Sequence, residues 1–131
     1  MINTTSLQII KALYEALAKG DVSTVLPLFD PQIEWTEANG FPLAGTYRGT
    51  EAVLKGVLMR LATDWENFQT VPDEFIDGGQ TIVVLGNYSG TYKATGKSFR
   101  APFAHVWKVR DGKAIRYVQY TDTLLVHQAL Q

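Results

Sequence analysis

His105 is the residue whose type and position best suit chemistry. It alternates along one predicted strand with Phe99, Ala101, Phe103 and Trp107, so these five side chains share one face. That face is the bulkier and more aromatic of the two, which indicates that it points into the core. A histidine there can shuttle a proton or donate a hydrogen bond, because its imidazole titrates near neutral pH. The alternative is a core histidine that a neighbouring strand satisfies, and the residue pattern taken alone favours this alternative.

Glu37 is the carboxylate best placed to act as a base. A short strand over Ile33–Thr36 puts Glu34 and Trp35 on opposite faces. With Trp35 inside, Glu34 is outside, and Glu37 lies inside the pocket or at its rim. Asp122, by contrast, precedes a predicted C-terminal helix, where an aspartate is expected to act as the N-cap.

Aromatic side chains with polar tips form a third candidate group. Four tyrosine phenols can donate hydrogen bonds, and Trp35 and Trp107 can supply apolar walls. The tyrosines are Tyr47, Tyr88, Tyr92 and Tyr117. For each residue taken singly, core packing with a satisfied polar tip is the alternative interpretation. As a group they describe an aromatic pocket with a few polar points, which suits a flat and mostly apolar ligand.

Three helices are predicted before residue 65. The first begins near Thr5 or Ser6, Asp21 or Ser23 caps a short second helix, and Thr50 caps the third. Apolar residues at spacings of three and four give the first helix one apolar stripe. The stripe consists of Leu7, Ile10, Leu13, Tyr14 and Leu17.

After residue 65 the hydrophobic pattern changes from helical to alternating. Three short breaks, each containing glycine, divide this part of the chain into strands joined by hairpin turns. The amphipathic helices must bury their stripes against one face of the resulting sheet. The pattern therefore predicts a single α+β domain over residues 1–131, with three N-terminal helices packed on a curved antiparallel sheet in a cone. The four long strands are predicted over Phe68–Ile76, Thr81–Lys93, Ser98–Val109 and Ala114–Thr121.

Composition argues against several classes of function. The 131 residues contain no cysteine and two histidines far apart in sequence, so no metal site is expected. The net charge is −1 and the basic residues are scattered, so neither a nucleic acid nor an anionic membrane is an expected partner. No apolar run approaches membrane-spanning length, and the first residues do not resemble a signal peptide. We therefore expect a cytoplasmic protein.

Several short motifs stand in the order seen in SnoaL-like domains. They are Gly20-Asp21, Leu43–Gly49, Asp111–Lys113 and Gln119–Thr123. Through them the chain resembles the SnoaL-like members of the nuclear transport factor 2-like superfamily, whose relatives include ketosteroid isomerase, limonene epoxide hydrolase and a polyketide cyclase. The resemblance covers nearly the whole chain. It implies the cone-shaped fold more specifically than any function, because one fold hosts many chemistries.

The resemblance also implies roles for two residues. It favours a functional His105, since the resembling enzymes carry a polar pocket residue at this position, and in the cyclase it is a histidine. It places Gln119 in the pocket, where the cyclase and the epoxide hydrolase have an aspartate that acts as acid or base. An amide does not exchange a proton in this way near neutral pH, so Gln119 is expected to orient a ligand or a water molecule.

Two activities of the superfamily are not expected here. The arginine and aspartate of the epoxide hydrolase correspond to Gly86 and Tyr88, and the base of the isomerase corresponds to Trp35. The isomerase tyrosine on the first helix falls near Leu13. Tyr14 is one residue away and should face elsewhere, because one residue turns a helix by about 100°.

Residues and resemblance together predict a small-molecule protein with an apolar, aromatic pocket. As an enzyme it would use cofactor-free acid–base chemistry of isomerase, cyclase or lyase type on a carbonyl compound; the alternative is a non-catalytic ligand-binding or dimerisation domain. His105 favours an enzyme, and Gln119 favours a non-catalytic domain. No metal and no cofactor are expected. The expected catalytic residues are His105, Gln119 and Glu37, and the expected ligand-binding residues are Trp35, Tyr47, Tyr88, Phe103, Trp107 and Tyr117.

The outer face of the predicted sheet suggests a homodimer. Its centre is apolar, with Ala104, Val106, Val118 and Tyr120, and its basic residues lie toward the strand ends. An apolar centre with a charged rim is typical of an association surface. The resemblance favours the same interpretation, because many relatives dimerise through this sheet. The alternative is that the C-terminal segment Leu124–Gln131 covers the face within one chain.

Overall fold

Helix α1 begins where its sequence supplies a cap. The computed structural model describes residues 4–131, and in it α1 spans Ser6–Ala18. The Thr5 hydroxyl accepts a hydrogen bond from the Gln8 backbone N–H at 3.1 Å, and the Gln8 side chain accepts one from the Thr5 backbone N–H at 2.9 Å. This reciprocal capping box satisfies two backbone donors that a helix start leaves free.

Two shorter helical segments follow before the sheet begins. Helix α2 spans Val22–Val25, and the Asp21 carboxylate caps it by accepting from the Thr24 backbone N–H at 3.2 Å. The chain then tightens into a 3₁₀ turn over Leu26–Leu28 that contains Pro27, a residue that cannot continue an α-helix without losing a backbone hydrogen bond.

The third predicted helix is continuous but changes its winding. Helix α3 (Thr50–Val53) passes into a π-helical segment (Leu54–Leu58) and then into α4 (Met59–Asp64). The prediction that Thr50 caps this helix is wrong. Gly49 is the N-cap residue, at a φ of 88° that glycine adopts without a steric penalty, and Thr50 is already helical.

Six strands form one sheet in the order β2-β1-β6-β5-β4-β3. All neighbouring pairs are antiparallel except β1 and β6, which run parallel, so the expectation of a wholly antiparallel sheet needs that correction. No hairpin joins β1 to β6, and local turns therefore do not set their relative direction. The short strand β2 was not predicted. The strands are β1 (Phe29–Glu37), β2 (Gly45–Arg48), β3 (Trp65–Gly78), β4 (Thr81–Tyr92), β5 (Ser98–Arg110) and β6 (Lys113–Thr121).

Irregularities in β3 curve the sheet. Its pairing with β4 shifts register between Glu66 and Gln69 and again between Pro72 and Glu74. Such bulges bend a strand and increase its twist. The resulting concave face surrounds α1 and the helices over 50–64, which gives the α+β cone that the sequence predicts.

The alternation along β5 is as predicted. Phe99, Ala101, Phe103, His105 and Trp107 are all buried on the concave side. The C-terminal helix α5 (Thr123–Leu130) is capped by Asp122, whose carboxylate accepts from the Leu125 N–H at 3.3 Å. It lies at the β4–β5 turn, where the Thr95 hydroxyl donates to the Ala129 carbonyl. Within the described residues, no helix is long and apolar enough to cross a membrane.

Candidate active site

A cavity of about 480 Å³ lies between the concave face of the sheet and the helices. Pairing of β5 with β6 sets His105 opposite Gln119 and Trp107 opposite Tyr117, so two neighbouring strands supply adjacent side chains. Leu17 of α1 and Leu61 of α4 contribute to the opposite wall. Seven of the residues expected from the sequence line this cavity. They are Trp35, Glu37, Tyr88, His105, Trp107, Tyr117 and Gln119.

His105 lies between two tyrosine hydroxyls. Its Nδ1 is 2.5 Å from the Tyr14 hydroxyl oxygen, and its Nε2 is 2.5 Å from the Tyr88 hydroxyl oxygen. Burial lowers the pKa of His105 well below its ordinary value of 6.5, because desolvation disfavours the imidazolium. The imidazole is therefore neutral at pH 7, with one nitrogen that donates and one that accepts.

Two further side chains fix the tyrosines in place. The Trp107 indole N–H donates to the Tyr14 hydroxyl at 2.9 Å, and the Gln119 amide donates to the Tyr88 hydroxyl at 2.9 Å. The Gln119 carbonyl oxygen accepts from the Ala38 backbone N–H at 3.0 Å. This last bond sets the orientation of the amide, so that its NH₂ group points at Tyr88.

Glu37 is a buried carboxyl with an unsatisfied oxygen. Its side chain is 2% exposed, and its Oε2 has no hydrogen-bond partner. Burial raises the pKa of Glu37 to about 8; the Trp35 indole N–H lies near enough to oppose this weakly, but not in hydrogen-bond geometry. The carboxyl is thus mostly protonated at neutral pH. The Trp35 indole nitrogen is also buried without a partner.

Tyr47 and Phe103 lie outside the cavity lining, although the sequence suggests ligand contacts for both. Tyr47 stands on edge strand β2, away from the cavity. Its hydroxyl donates to the Leu43 carbonyl at 2.8 Å. Phe103 stacks on the far side of His105, with ring centroids 3.9 Å apart and planes within 11°. It supports the imidazole from behind.

Tyr14 is the site residue that the sequence analysis misjudged. The expectation that it faces elsewhere is wrong, since its hydroxyl reaches His105 and its ring lines the cavity. Both Leu13 and Tyr14 are buried, because the curved sheet encloses a wide face of α1. The signal was present: Tyr14 belongs to the predicted apolar stripe of that helix. Steroid isomerisation is still not expected, because Trp35 stands where the isomerase has its base and an indole cannot accept a proton.

The described residues offer no ready place for a metal ion. Over residues 4–131, no three histidine, aspartate or glutamate side chains lie close enough together to hold one.

Comparison with known proteins gives consistent matches. Residues 10–117 match the SnoaL-like domain family. A nuclear transport factor 2-like protein from Burkholderia thailandensis is 43% identical, with 98% of this chain and 99% of that chain covered and a TM-score of 0.96. A second such protein, of unknown function, from Burkholderia pseudomallei is 30% identical, with 98% and 99% covered and a TM-score of 0.88. TerC, co-crystallized with polyporic acid, is 28% identical, with 97% and 98% covered and a TM-score of 0.86. No curated protein matches the chain.

Proposed function

Because the chain belongs to the SnoaL-like domain family, we propose that it binds a small, mostly apolar or aromatic molecule and performs cofactor-free acid–base chemistry on it. The substrate class is a carbonyl compound, and the reaction is of isomerase, cyclase or lyase type. His105 supplies the proton-transfer group, and Tyr88 and Gln119 orient the substrate.

The observation that carries this proposal is the unsatisfied Oε2 of Glu37. Leaving a buried polar atom without a partner costs free energy, roughly 1–3 kcal/mol for a neutral group. A ligand oxygen or nitrogen beside Glu37 would recover that cost. The apolar walls of Trp35 and Trp107 favour a ligand that is otherwise hydrophobic.

The ionisation of the lining residues supports chemistry on a carbonyl group. A carboxyl with a pKa of about 8 can donate a hydrogen bond to a carbonyl oxygen at neutral pH and can accept a proton when ionised. The TerC structure with polyporic acid supports the choice of a small organic molecule for this fold.

A cavity-filling pair of variants tests the proposal. Val57→Trp places a large side chain in the cavity lining, where Val57 is 1% exposed. Val71→Trp makes the same change at a residue of β3 that is 48% exposed and is the matched control. The wild type and the control should bind members of an aromatic ketone panel with a shift in tryptophan fluorescence, since all three tryptophans line the cavity. Val57→Trp should lose that binding.

Two results decide against the proposal. Equal binding by Val57→Trp and the control would place the ligand elsewhere. No binding by the wild type, together with no co-purified small molecule in native mass spectrometry, would remove the small-molecule function altogether.

A non-catalytic binding domain remains the second candidate, and Gln119 is the observation that favours it. Its amide is held by Ala38 and Tyr88 and cannot act as acid or base. The two candidates differ in one measurement. A bound ligand recovered with altered mass, or with deuterium taken up from D₂O beyond the protein-free rate, indicates an enzyme, and an unchanged ligand indicates a binding domain.

A further inference from the structure

The hydrogen bonds around His105 form a chain with a fixed donor at each end. At one end the Trp107 indole can only donate, and it donates to Tyr14. At the other end the Gln119 oxygen is occupied by Ala38, so the amide nitrogen donates to Tyr88. Each tyrosine oxygen therefore already accepts one hydrogen bond before His105 is considered.

Counting protons along this chain leaves one hydroxyl free. A neutral imidazole carries one N–H, so it donates to one tyrosine and accepts from the other. The tyrosine that accepts from His105 keeps its own O–H group, which no member of this chain uses. The free hydroxyl belongs to Tyr14 when Nδ1 is protonated and to Tyr88 when Nε2 is protonated. Both tyrosines line the cavity.

We propose that Tyr14, His105 and Tyr88 form a proton relay, in which a change of imidazole tautomer moves the free hydroxyl proton from one side of the cavity to the other. This rests on the proposed function, because it assigns the proton-transfer ends of the same site. The relay suits an enolisable ketone that is bound with its carbonyl oxygen at Tyr88 and its α-carbon at Tyr14.

The protons and electrons balance over one pass of the relay. Tyr88 gives its hydroxyl proton to the carbonyl oxygen and takes the Nε2 proton of His105. His105 Nδ1 takes the proton of Tyr14, and the Tyr14 oxygen takes the proton of the α-carbon. The C–H electron pair becomes the C=C bond of the enol, and the π pair of the carbonyl forms the new O–H bond. The protein ends with as many protons as it began with, and the free hydroxyl is now on Tyr14.

A reverse pass at a different carbon completes an isomerisation. Tyr14 gives its proton to a second carbon of the conjugated enol, His105 returns to its first tautomer, and Tyr88 recovers the proton from the enol oxygen. The carbonyl forms again, the double bond has moved, and the relay is reset without any cofactor.

Burial favours a concerted transfer. It raises the pKa of Tyr14 and of Tyr88 and lowers that of His105, so a phenolate or an imidazolium is costly in this cavity. Simultaneous transfer along the hydrogen bonds from His105 to Tyr14 and to Tyr88 avoids building up either charge.

The tautomer of His105 in the ligand-free protein tests the relay. In ¹⁵N-histidine NMR at neutral pH, both His105 nitrogens should show shifts between those of a protonated and an unprotonated neutral imidazole nitrogen. His127, exposed on α5, is the second histidine of the chain and is assigned with His127→Gln. Tyr14→Phe should move the signals toward the Nε2–H form and Tyr88→Phe toward the Nδ1–H form, because a buried N–H keeps its remaining partner.

Tyr120→Phe is the control, since Tyr120 is an exposed phenol on β6 and should leave the His105 signals unchanged. A wild-type spectrum with one fully protonated and one fully unprotonated nitrogen, or with an imidazolium, overturns the relay. So do shifts of the two phenylalanine variants in the same direction. Where a variant fails to fold, the wild-type spectrum alone decides. No ligand is used, so a failed binding experiment at Val57 would leave this result unaffected.

Discussion

At the scale of single residues, burial shifts the pKa values of Glu37 and His105 so that each side chain favours its neutral form. The folded-state pKa of Glu37 is raised, so its contribution to stability is fully present below the unfolded value of 4.5 and is lost as pH rises toward 8. The folded-state pKa of His105 is depressed, so its contribution is present above 6.5 and is lost as pH falls. The contributions of the two groups to stability change with pH in opposite directions, and at neutral pH both side chains are mostly uncharged.

Glu37→Gln should remove one part of this pH dependence. Between pH 5 and pH 9 the wild type should lose stability relative to the variant, by on the order of 4 kcal/mol, because folding must hold a proton that the unfolded chain releases. Urea unfolding at several pH values measures the difference. Since both proteins retain His105, its contribution cancels.

Glu74→Gln is the control for this prediction, because Glu74 is an exposed glutamate on β3. Its stability should follow the wild type across the same pH range. A stability difference between the wild type and Glu37→Gln that does not change with pH would show that Glu37 is ionised in the folded protein at neutral pH.

At the scale of elements, the curvature of the sheet decides which side chains meet in the cavity. The bulges of β3 bend the strand beside β4, and Gly86 of β4 lies where this bend brings the backbone close to a ring of β5. A Cβ added at Gly86 would stand 2.2 Å from the Val71 carbonyl oxygen of β3 and 2.6 Å from Cζ of Phe103. Phe103 in turn stacks on His105, so a small residue at position 86 helps to hold the imidazole in place.

Gly86→Ala should therefore both destabilise the protein and disturb the site. Overpacking of this kind typically costs about 1–3 kcal/mol. Thermal unfolding measures the loss of stability. The ¹⁵N-histidine NMR signals of His105 should also shift, because both the β3 backbone at Val71 and the Phe103 ring must move.

Gly90→Ala is the matched control on the same strand. The nearest contact of its added Cβ is 3.3 Å, which smaller adjustments can relieve. The prediction fails when Gly86→Ala and Gly90→Ala are equally stable and give the same His105 signals.

At the scale of the whole molecule, the convex face of β5 and β6 stays accessible. Val106 and Val118 are only partly buried there, and Tyr120 is 57% exposed. Helix α5 packs by the β4–β5 turn and leaves Tyr120 uncovered. Lys108 is exposed on the same strand as Val106, so a charged residue borders the apolar centre of this face. We propose that two copies of the chain pair through this face.

Val106→Glu should separate such a dimer, since it places two charges at the centre of a two-fold interface. Sedimentation at micromolar concentration should give the mass of two chains for the wild type and of one chain for the variant. An unchanged tryptophan emission spectrum would confirm that the cavity is intact.

Leu124→Glu adds the same charge to an exposed position on α5 and should leave the dimer unchanged. A wild-type mass near that of one chain would refute the dimer.

The sequence by itself determined the helical N-terminal part, the four long strands and the inner face of β5. Alternation along β5 placed His105 and Trp107 inside, and glycine-containing turns marked the hairpins, because these signals depend on neighbours in the chain. Short motifs spread along the chain indicated the SnoaL-like domain family, and the family match over residues 10–117 confirmed it.

Only the tertiary structure decided which of these side chains contact one another. The hydrogen bond between Tyr14 and His105 joins residues 91 positions apart, and the parallel pairing of β1 with β6 also joins distant segments. Helix periodicity predicts which residues of α1 share a face. How much of that face the sheet encloses depends on the bulges of β3. For the same physical reason, the neutral state of Glu37 follows from its complete burial, which the sequence did not specify.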